Sequence, residues 1–325
     1  MFSNLIIIII SLLNYSFQFN HLTKYSEDEA RKLIYLCAAS YGNQHVSCLN
    51  QTFKDVSKYQ LYSSNKAVCD ELGTICENYA VASDTHKRVY FVFRGSRGKV
   101  QVFLEGIDQW KSKPFLDIGQ VNSYFKRAHT VLWPPVLEIL NNSKFKNYKF
   151  YFTGHSLGGA LASLAAVKSV RLGFLDGENV KLVTFGQPRV GNYDYARNFD
   201  NLVPNSFRVV HRRDIVPHLP SCLKSNSTIN GEFAKPCNSS IYDQRYHHGT
   251  EIWYPNGMSR EPIQDYKQYV ECIGQPLNED FNCSDALRFF YSKSSEYIWD
   301  HRHYFGIRVP EFGKTGCDRN NPEGN

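Results

Sequence analysis

The chain has 325 residues, of which 42% are hydrophobic and 14% aromatic, with 21% charged and a net charge of +6. That composition excludes a disordered chain, and the length suffices to bury a core without metal staples. Lys and Arg are dispersed, with neither a basic stripe nor a nucleic-acid module, so nucleic acid is excluded as a partner while weak attraction to an anionic surface stays open.

The first twenty residues, MFSNLIIIIISLLNYSFQFN, carry an apolar run from Leu5 to Leu13. That run is too short to span a bilayer and matches the hydrophobic region of a secretory signal peptide. We expect a leader over residues 1–18, cleaved between 16 and 20, and one domain over 20–325. Nine cysteines, none in C-x-x-C spacing, favour disulfides over a zinc site. The local pairs Cys69 with Cys76, Cys222 with Cys237 and Cys272 with Cys283 are plausible, Cys317 needs a distant partner, and the odd count leaves one cysteine over. Sequons at Asn50, Asn141, Asn226, Asn238 and Asn282 point to glycosylation in an extracellular protein.

A capping pattern, Ser26 followed by Glu29, opens a helix whose apolar residues recur through Tyr41 and stop at Gly42. NYAVAS and RVYFVFRG read as strands, the second apolar enough to be covered on both faces. A helical stretch runs from Asn122 to about Leu140, where Pro134 and Pro135 should interrupt or kink it. KFYFT is a strand, followed by the turn Gly154-His155-Ser156-Leu157-Gly158 and an Ala-rich helix. VKLVTFG and FRVVH are further strands, joined by a loop that runs into a helix. From Ser221 to Asn282 Ser, Asn, Pro and Cys accumulate and only EIWY keeps a strand pattern, as expected of stapled surface excursions. Alternating strands and helices predict an α/β fold with a mostly parallel central sheet, helices on both faces, and disulfide-stapled loop insertions.

A serine at a tight, glycine-walled turn between a buried strand and a helix is held above the sheet edge. The following helix aims its free N–H groups at the same spot, which is the arrangement of a nucleophile elbow. The acid should follow a later strand, and Asp214 stands three residues after FRVVH; Asp194 and Asp200 lie in helical sequence and are weaker candidates. The base lies among His218, His247, His248, His301 and His303, and position in the fold favours the last two without separating them. Oxyanion donors are expected from the Leu157 N–H and from the end of VFRGSRG, at Gly95 and Ser96.

Together, FRGSRG, TGHSLGGALA, TFGQPRVGN, FRVVHRRDIVPHLP, HHGTEIWY and DHRHYFGI resemble the class 3, fungal-type triacylglycerol lipases over about residues 27–306. The resemblance implies an α/β-hydrolase fold and selects His301 through the family's H-x-x-Y-F pattern, with Ser156 as nucleophile, Asp214 as acid and Ser96 with Leu157 as oxyanion donors. It also implies a lid in RGKVQVFLEGIDQW, where Val100, Phe103, Leu104, Ile107 and Trp110 form one apolar stripe at helical spacing. The implied reaction is ester hydrolysis through an acyl-enzyme, with no metal or organic cofactor, on acylglycerol or phospholipid at an interface touched transiently. Phospholipase A1 or a soluble-ester esterase is the alternative, and a non-catalytic lipid-binding homologue a second; a monomer is assumed. Two features depart from the family: the stretch between Asp214 and His301 is longer than in the compact fungal enzymes, and its V-H-x-G-F block is here VNSYF.

Overall fold

The computed structural model describes residues 23–71, 73–97, 111–224, 236–241, 243–264 and 266–325. The expected leader, the sequon at Asn226 and the expected lid residues Val100, Phe103, Leu104, Ile107 and Trp110 lie outside these. Among the described residues, no helix is long and apolar enough to cross a membrane.

Ser26 caps the first helix as its sequence predicts: the side chain accepts from the Glu29 N–H, opening α1 (Glu27–Ala39), and α2 (His45–Thr52) follows. Strands β1 (Gln60–Val68), β2 (Ile75–Ser83) and β3 (Arg88–Phe93) form an antiparallel meander. The short strands β4 (Ser112–Pro114) and β5 (Gln120–Asn122) lead into α3 (Ser123–Leu140). Then come β6 (Lys149–His155), α4 (Leu157–Arg171), β7 (Val180–Phe185), β8 (Gly191–Asn192), α5 (Tyr193–Leu202) and β9 (Ser206–His211). After the excursion strands β10 (Arg245–Tyr246), β11 (Thr250–Tyr254) and β12 (Val270–Cys272), the chain ends with α6 (Ser294–Arg302), β13 (His303–Tyr304), β14 (Ile307–Arg308) and α7 (Val309–Lys314).

The main sheet has the order β1-β2-β3-β6-β7-β9-β11-β12, and its five strands from β3 to β11 run parallel. Side chains alternate between two cores. Phe91, Phe150 and Phe152 pack with Phe125, Leu132 and Leu161 of α3 and α4. Tyr90, Val92, Tyr151 and Val183 pack with Leu33 and Ile34 of α1 and Phe312 of α7. Strands β4, β5, β8 and β10 form a second, small sheet.

Two expectations change here. The helix predicted from Asn122 runs through Pro134 and Pro135 without interruption. Each proline withholds a donor from the carbonyl four residues earlier; Thr130 and Pro134 lie on the solvent side, while Leu132, Trp133, Val136 and Ile139 hold the other side in the core. EIWY is the strand its pattern indicates, but it lies inside the main sheet as β11, parallel to β9, so the stretch from Ser221 to Asn282 is not surface excursion throughout. All three local cysteine pairs form, Cys317 bonds Cys48 across 269 residues, and the remaining thiol is Cys37. Cys37 is buried against Thr153, and burial pushes its pKa up to about 12, so it is a packing residue.

Candidate active site

Strand β6 ends at His155, and Ser156 turns the chain with φ 60° and ψ −130° before α4 begins. A positive φ on a serine is a strained turn, and the close packing around it requires glycine on either side. A Cβ on Gly154 would stand 2.2 Å from the Gly158 carbonyl carbon, and one on Gly158 would stand 2.1 Å from the Phe93 carbonyl oxygen. Without those atoms α4 lies directly against the ends of β3 and β6. The Ser156 N–H is held by the Phe185 carbonyl at 2.9 Å.

The neighbouring strands bring the other groups to the same edge. His155 pairs with Phe185, so Ser156 and Gly186 leave β6 and β7 side by side. A Cβ on Gly186 would stand 2.6 Å from Asp214 Oδ2 and 2.8 Å from His301 Nδ1, so only glycine lets the pair close over that point. Asp214, three residues past β9, is fully buried and takes His301 Nδ1 at 3.0 Å and 2.9 Å on its two oxygens. It also accepts from the Tyr304 hydroxyl at 2.6 Å and from the Val216 N–H at 2.9 Å. Burial opposes its charge, but the histidine, the phenol and the amide outweigh burial and hold the carboxyl below its ordinary value. Burial and the neighbouring carboxylate push the Tyr304 phenol well above its ordinary value, so it stays a donor. His301 Nε2 is buried and has no hydrogen-bond partner among the described residues.

None of the other four histidines reaches Asp214. His218 packs on Phe289, His247 bonds the Pro217 carbonyl, His248 lies on Phe199, and His303 stacks on Trp299. Asp200 is also engaged elsewhere, by the Gly249 N–H and the Asn278 amide.

Three imidazoles fix the end of the helix that carries His301. The last carbonyls of a helix lack intrahelical partners. Here His303 Nδ1 bonds the Trp299 carbonyl at 2.7 Å, His211 Nδ1 the Asp300 carbonyl at 3.0 Å, and His155 Nε2 the His301 carbonyl at 2.8 Å. A carbonyl only accepts, so His155 carries its proton on Nε2 and receives the Tyr41 hydroxyl on Nδ1 at 2.8 Å. Burial, then electrostatic interaction with His301, press the His155 pKa down to about 3, and burial presses His211 down to about 4. The His155 ring also stacks on His301 with centroids 4.7 Å apart. Sequence reading singled out neither this stacking nor the roles of Tyr41, His211 and Tyr304. The local signals were a histidine adjoining Ser156 in GHSLG and, for Tyr304, the tyrosine of the H-x-x-Y-F pattern.

The two expected oxyanion residues approach the same edge. Leu157 is the first residue of α4 and is buried. Ser96 follows β3, whose Phe93 pairs with Gly154, and it lines a cavity of about 430 Å³ together with His155 and His301.

A family model described as lipase (class 3) matches residues 90–224. A lipase of Caenorhabditis elegans is 43% identical over 300 residues, covering 91% of this chain and 83% of that protein. The chain belongs to the class 3 lipases. At that level it is a carboxylic-ester hydrolase of lipase type. A lipase of Rhizopus niveus is 30% identical over 234 residues, 70% of this chain; the match spans 50% of that protein, so the chain covers about half its length. The crystal structure of the lipase from Rhizopus microsporus var. chinensis matches with a TM-score of 0.66 at 24% identity, covering 89% of this class 3 lipase and 91% of that chain. That likeness is one of fold, and the fold is the expected α/β-hydrolase.

Proposed function

We propose that this class 3 lipase is a secreted serine hydrolase that cleaves acylglycerols at a lipid surface, triacylglycerol foremost, through an acyl-enzyme. The observation that carries the reading is the buried Asp214–His301 pair, with Nε2 of the histidine left without a partner among the described residues, at the edge where Ser156 turns. In this mechanism His301 Nε2 takes the Ser156 proton while Asp214 holds the proton on Nδ1. Ser156 Oγ then attacks the ester carbonyl, and N–H groups at Ser96 and Leu157 receive the oxyanion. His301 returns the proton to the departing alcohol, and the same histidine afterwards activates water to release the fatty acid. Tyr304 keeps Asp214 charged and aimed throughout. Four disulfides accord with secretion.

The test measures hydrolysis of short- and long-chain triglyceride across the solubility limit, beside phosphatidylcholine, with Ser156→Ala as control. A Ser156-dependent rise above the solubility limit is expected. Smooth saturation on dissolved ester would make the chain an esterase, and absence of hydrolysis on every substrate would overturn the reading.

A further inference from the structure

A second cavity, also of about 430 Å³, shares no lining residue with the one beside Ser96. His211, Arg212, Asn256 and Gly257 line it, together with the rings of Tyr266 and Trp299. His211 is only 5% exposed. The Asp300 carbonyl that its Nδ1 bonds at 3.0 Å can only accept, so the proton of the neutral ring sits on Nδ1. That leaves Nε2 with a lone pair and, among the described residues, with no hydrogen-bond partner. Burial presses the His211 pKa down to about 4, so Nε2 stays an acceptor at neutral pH. It faces the cavity beside Gly257: a Cβ there would stand 3.8 Å from Nε2 and 3.7 Å from Arg212 Cδ. The missing side chain keeps the space in front of the lone pair open.

The chemistry of these groups narrows what fits. The His211 lone pair calls for an O–H or N–H donor, while Asn256 and Arg212 offer N–H groups to ligand oxygens. Among the described lining residues Arg212 is the one permanent cation and Glu323 the one carboxylate, and each already has a partner, Asp300 at 3.8 Å and His303 at 3.1 Å. One charge of each sign leaves no excess, which favours a neutral molecule over an ion. Tyr266 and Trp299 are 58% and 49% exposed, and Trp299 is braced by His303, stacked on it with centroids 3.8 Å apart. A hollow with fixed aromatic rings and a few placed polar groups is the usual form of a small-molecule site. A pyranose sugar is neutral, carries hydroxyls around its rim and presents flat C–H faces. We infer that this cavity binds a neutral hexopyranose unit, one hydroxyl donating to His211 Nε2, neighbouring oxygens accepting from Asn256 and Arg212, and a C–H face lying against Trp299 or Tyr266. An acyl chain would leave the lone pair unpaired, and an open-chain polyol would leave the rings bare. The site stands apart from the serine-esterase reading and does not depend on it.

The test is saturation-transfer NMR on the intact enzyme with methyl β-D-glucopyranoside, methyl β-D-galactopyranoside and methyl α-D-mannopyranoside, beside glycerol and octanoate. At least one glycoside should bind saturably, with Kd on the order of 1 mM for a ligand of this size, and about tenfold or more tighter than glycerol. Trp299→Leu should weaken that binding about tenfold and Asn256→Ala severalfold, with circular dichroism unchanged; Asn256→Ala should also leave tributyrin hydrolysis as in wild type. Sedimentation with phosphatidylcholine vesicles carrying glucosylceramide or galactosylceramide, but not with plain ones, would place the sugar on a lipid headgroup. Glycoside binding without sedimentation would place it on a soluble glycan, and both results support the site. No saturable binding of any glycoside up to about 20 mM, well above the expected Kd, overturns it, as does binding that neither variant weakens. Octanoate binding in place of the sugars overturns it in favour of an acyl site.

Discussion

Six of the seven residues of β6 are buried, and at Phe150 and Phe152 what they bury is hydrocarbon. Around Arg189, beyond the end of β7, what is buried is charge. Its guanidinium pairs with both oxygens of Glu279 at 2.7 Å, meets Asp285 at 3.4 Å and bonds the Pro220 carbonyl at 3.2 Å. Arg208 does similar work nearby, bonding the carbonyls of His248 at 2.9 Å and Asn278 at 2.7 Å. The sheet centre is thus held by many interchangeable apolar contacts, and the excursion after residue 220 by a few charged ones in which loss of one partner strands the other, stapled by Cys222–Cys237 and Cys272–Cys283. The candidate site straddles the two regions. Ser156 and Asp214 stand at the ends of sheet strands, whereas His301 arrives only after the chain has traversed the excursion.

The sharpest break in the comparison is at the join. Asp214→Asn should lower kcat about 10⁴-fold, the scale seen when a triad acid loses its charge, with the fold intact by circular dichroism. Within the excursion, Arg189→Met strands Glu279 and Asp285 without their cation and should cost about 3–5 kcal/mol in urea unfolding. Tyr304→Phe removes one hydrogen bond to a charged acceptor, an effect of about 1.5–3 kcal/mol, and should lower kcat at least tenfold with KM little changed. In the sheet centre, Phe152→Leu keeps hydrocarbon in place of hydrocarbon and should cost about 1.5 kcal/mol or less in the same urea experiment. If it cost more than Arg189→Met, the contrast between the two regions would fail. The smallest effect is on pH. Asp214 titrates below its unfolded value of about 3.9, so its charge stabilises the fold fully above that value. The stability gap between wild type and Asp214→Asn should hold steady at neutral pH and close as pH falls through the lowered folded pKa.

Legibility in the sequence followed the same divide. Strands β3, β6, β7 and β9 announce themselves because a parallel strand covered on both faces must be apolar almost throughout. Ser156 and Asp214 could be placed because each is fixed by the strand just before it. The edge strand β1, QLYSSNKAV, alternates exposed and half-buried residues and offers no apolar run, so nothing marked it. The small second sheet has strands of two or three residues and leaves no periodicity to read. Without the family's H-x-x-Y-F pattern His301 could not be separated from His303, since the two stand two residues apart and the choice depends on a carboxylate 87 positions away. The caps on α6 were still less accessible: His155 and His211 meet their carbonyls only after the sheet has formed.

The bond between Cys48 and Cys317 closes a ring around nearly all of the described fold. A protease that cuts the chain once, anywhere between those two residues, makes two polypeptides that stay covalently joined. For any cut between Asp214 and His301, the piece bearing the histidine cannot diffuse from the piece bearing its acid. Such a nicked molecule would run as one band on a non-reducing gel and as two after thiol treatment, and only the thiol would let the halves part. Such a cut would therefore part the molecule only where the surroundings reduce the Cys48–Cys317 bond.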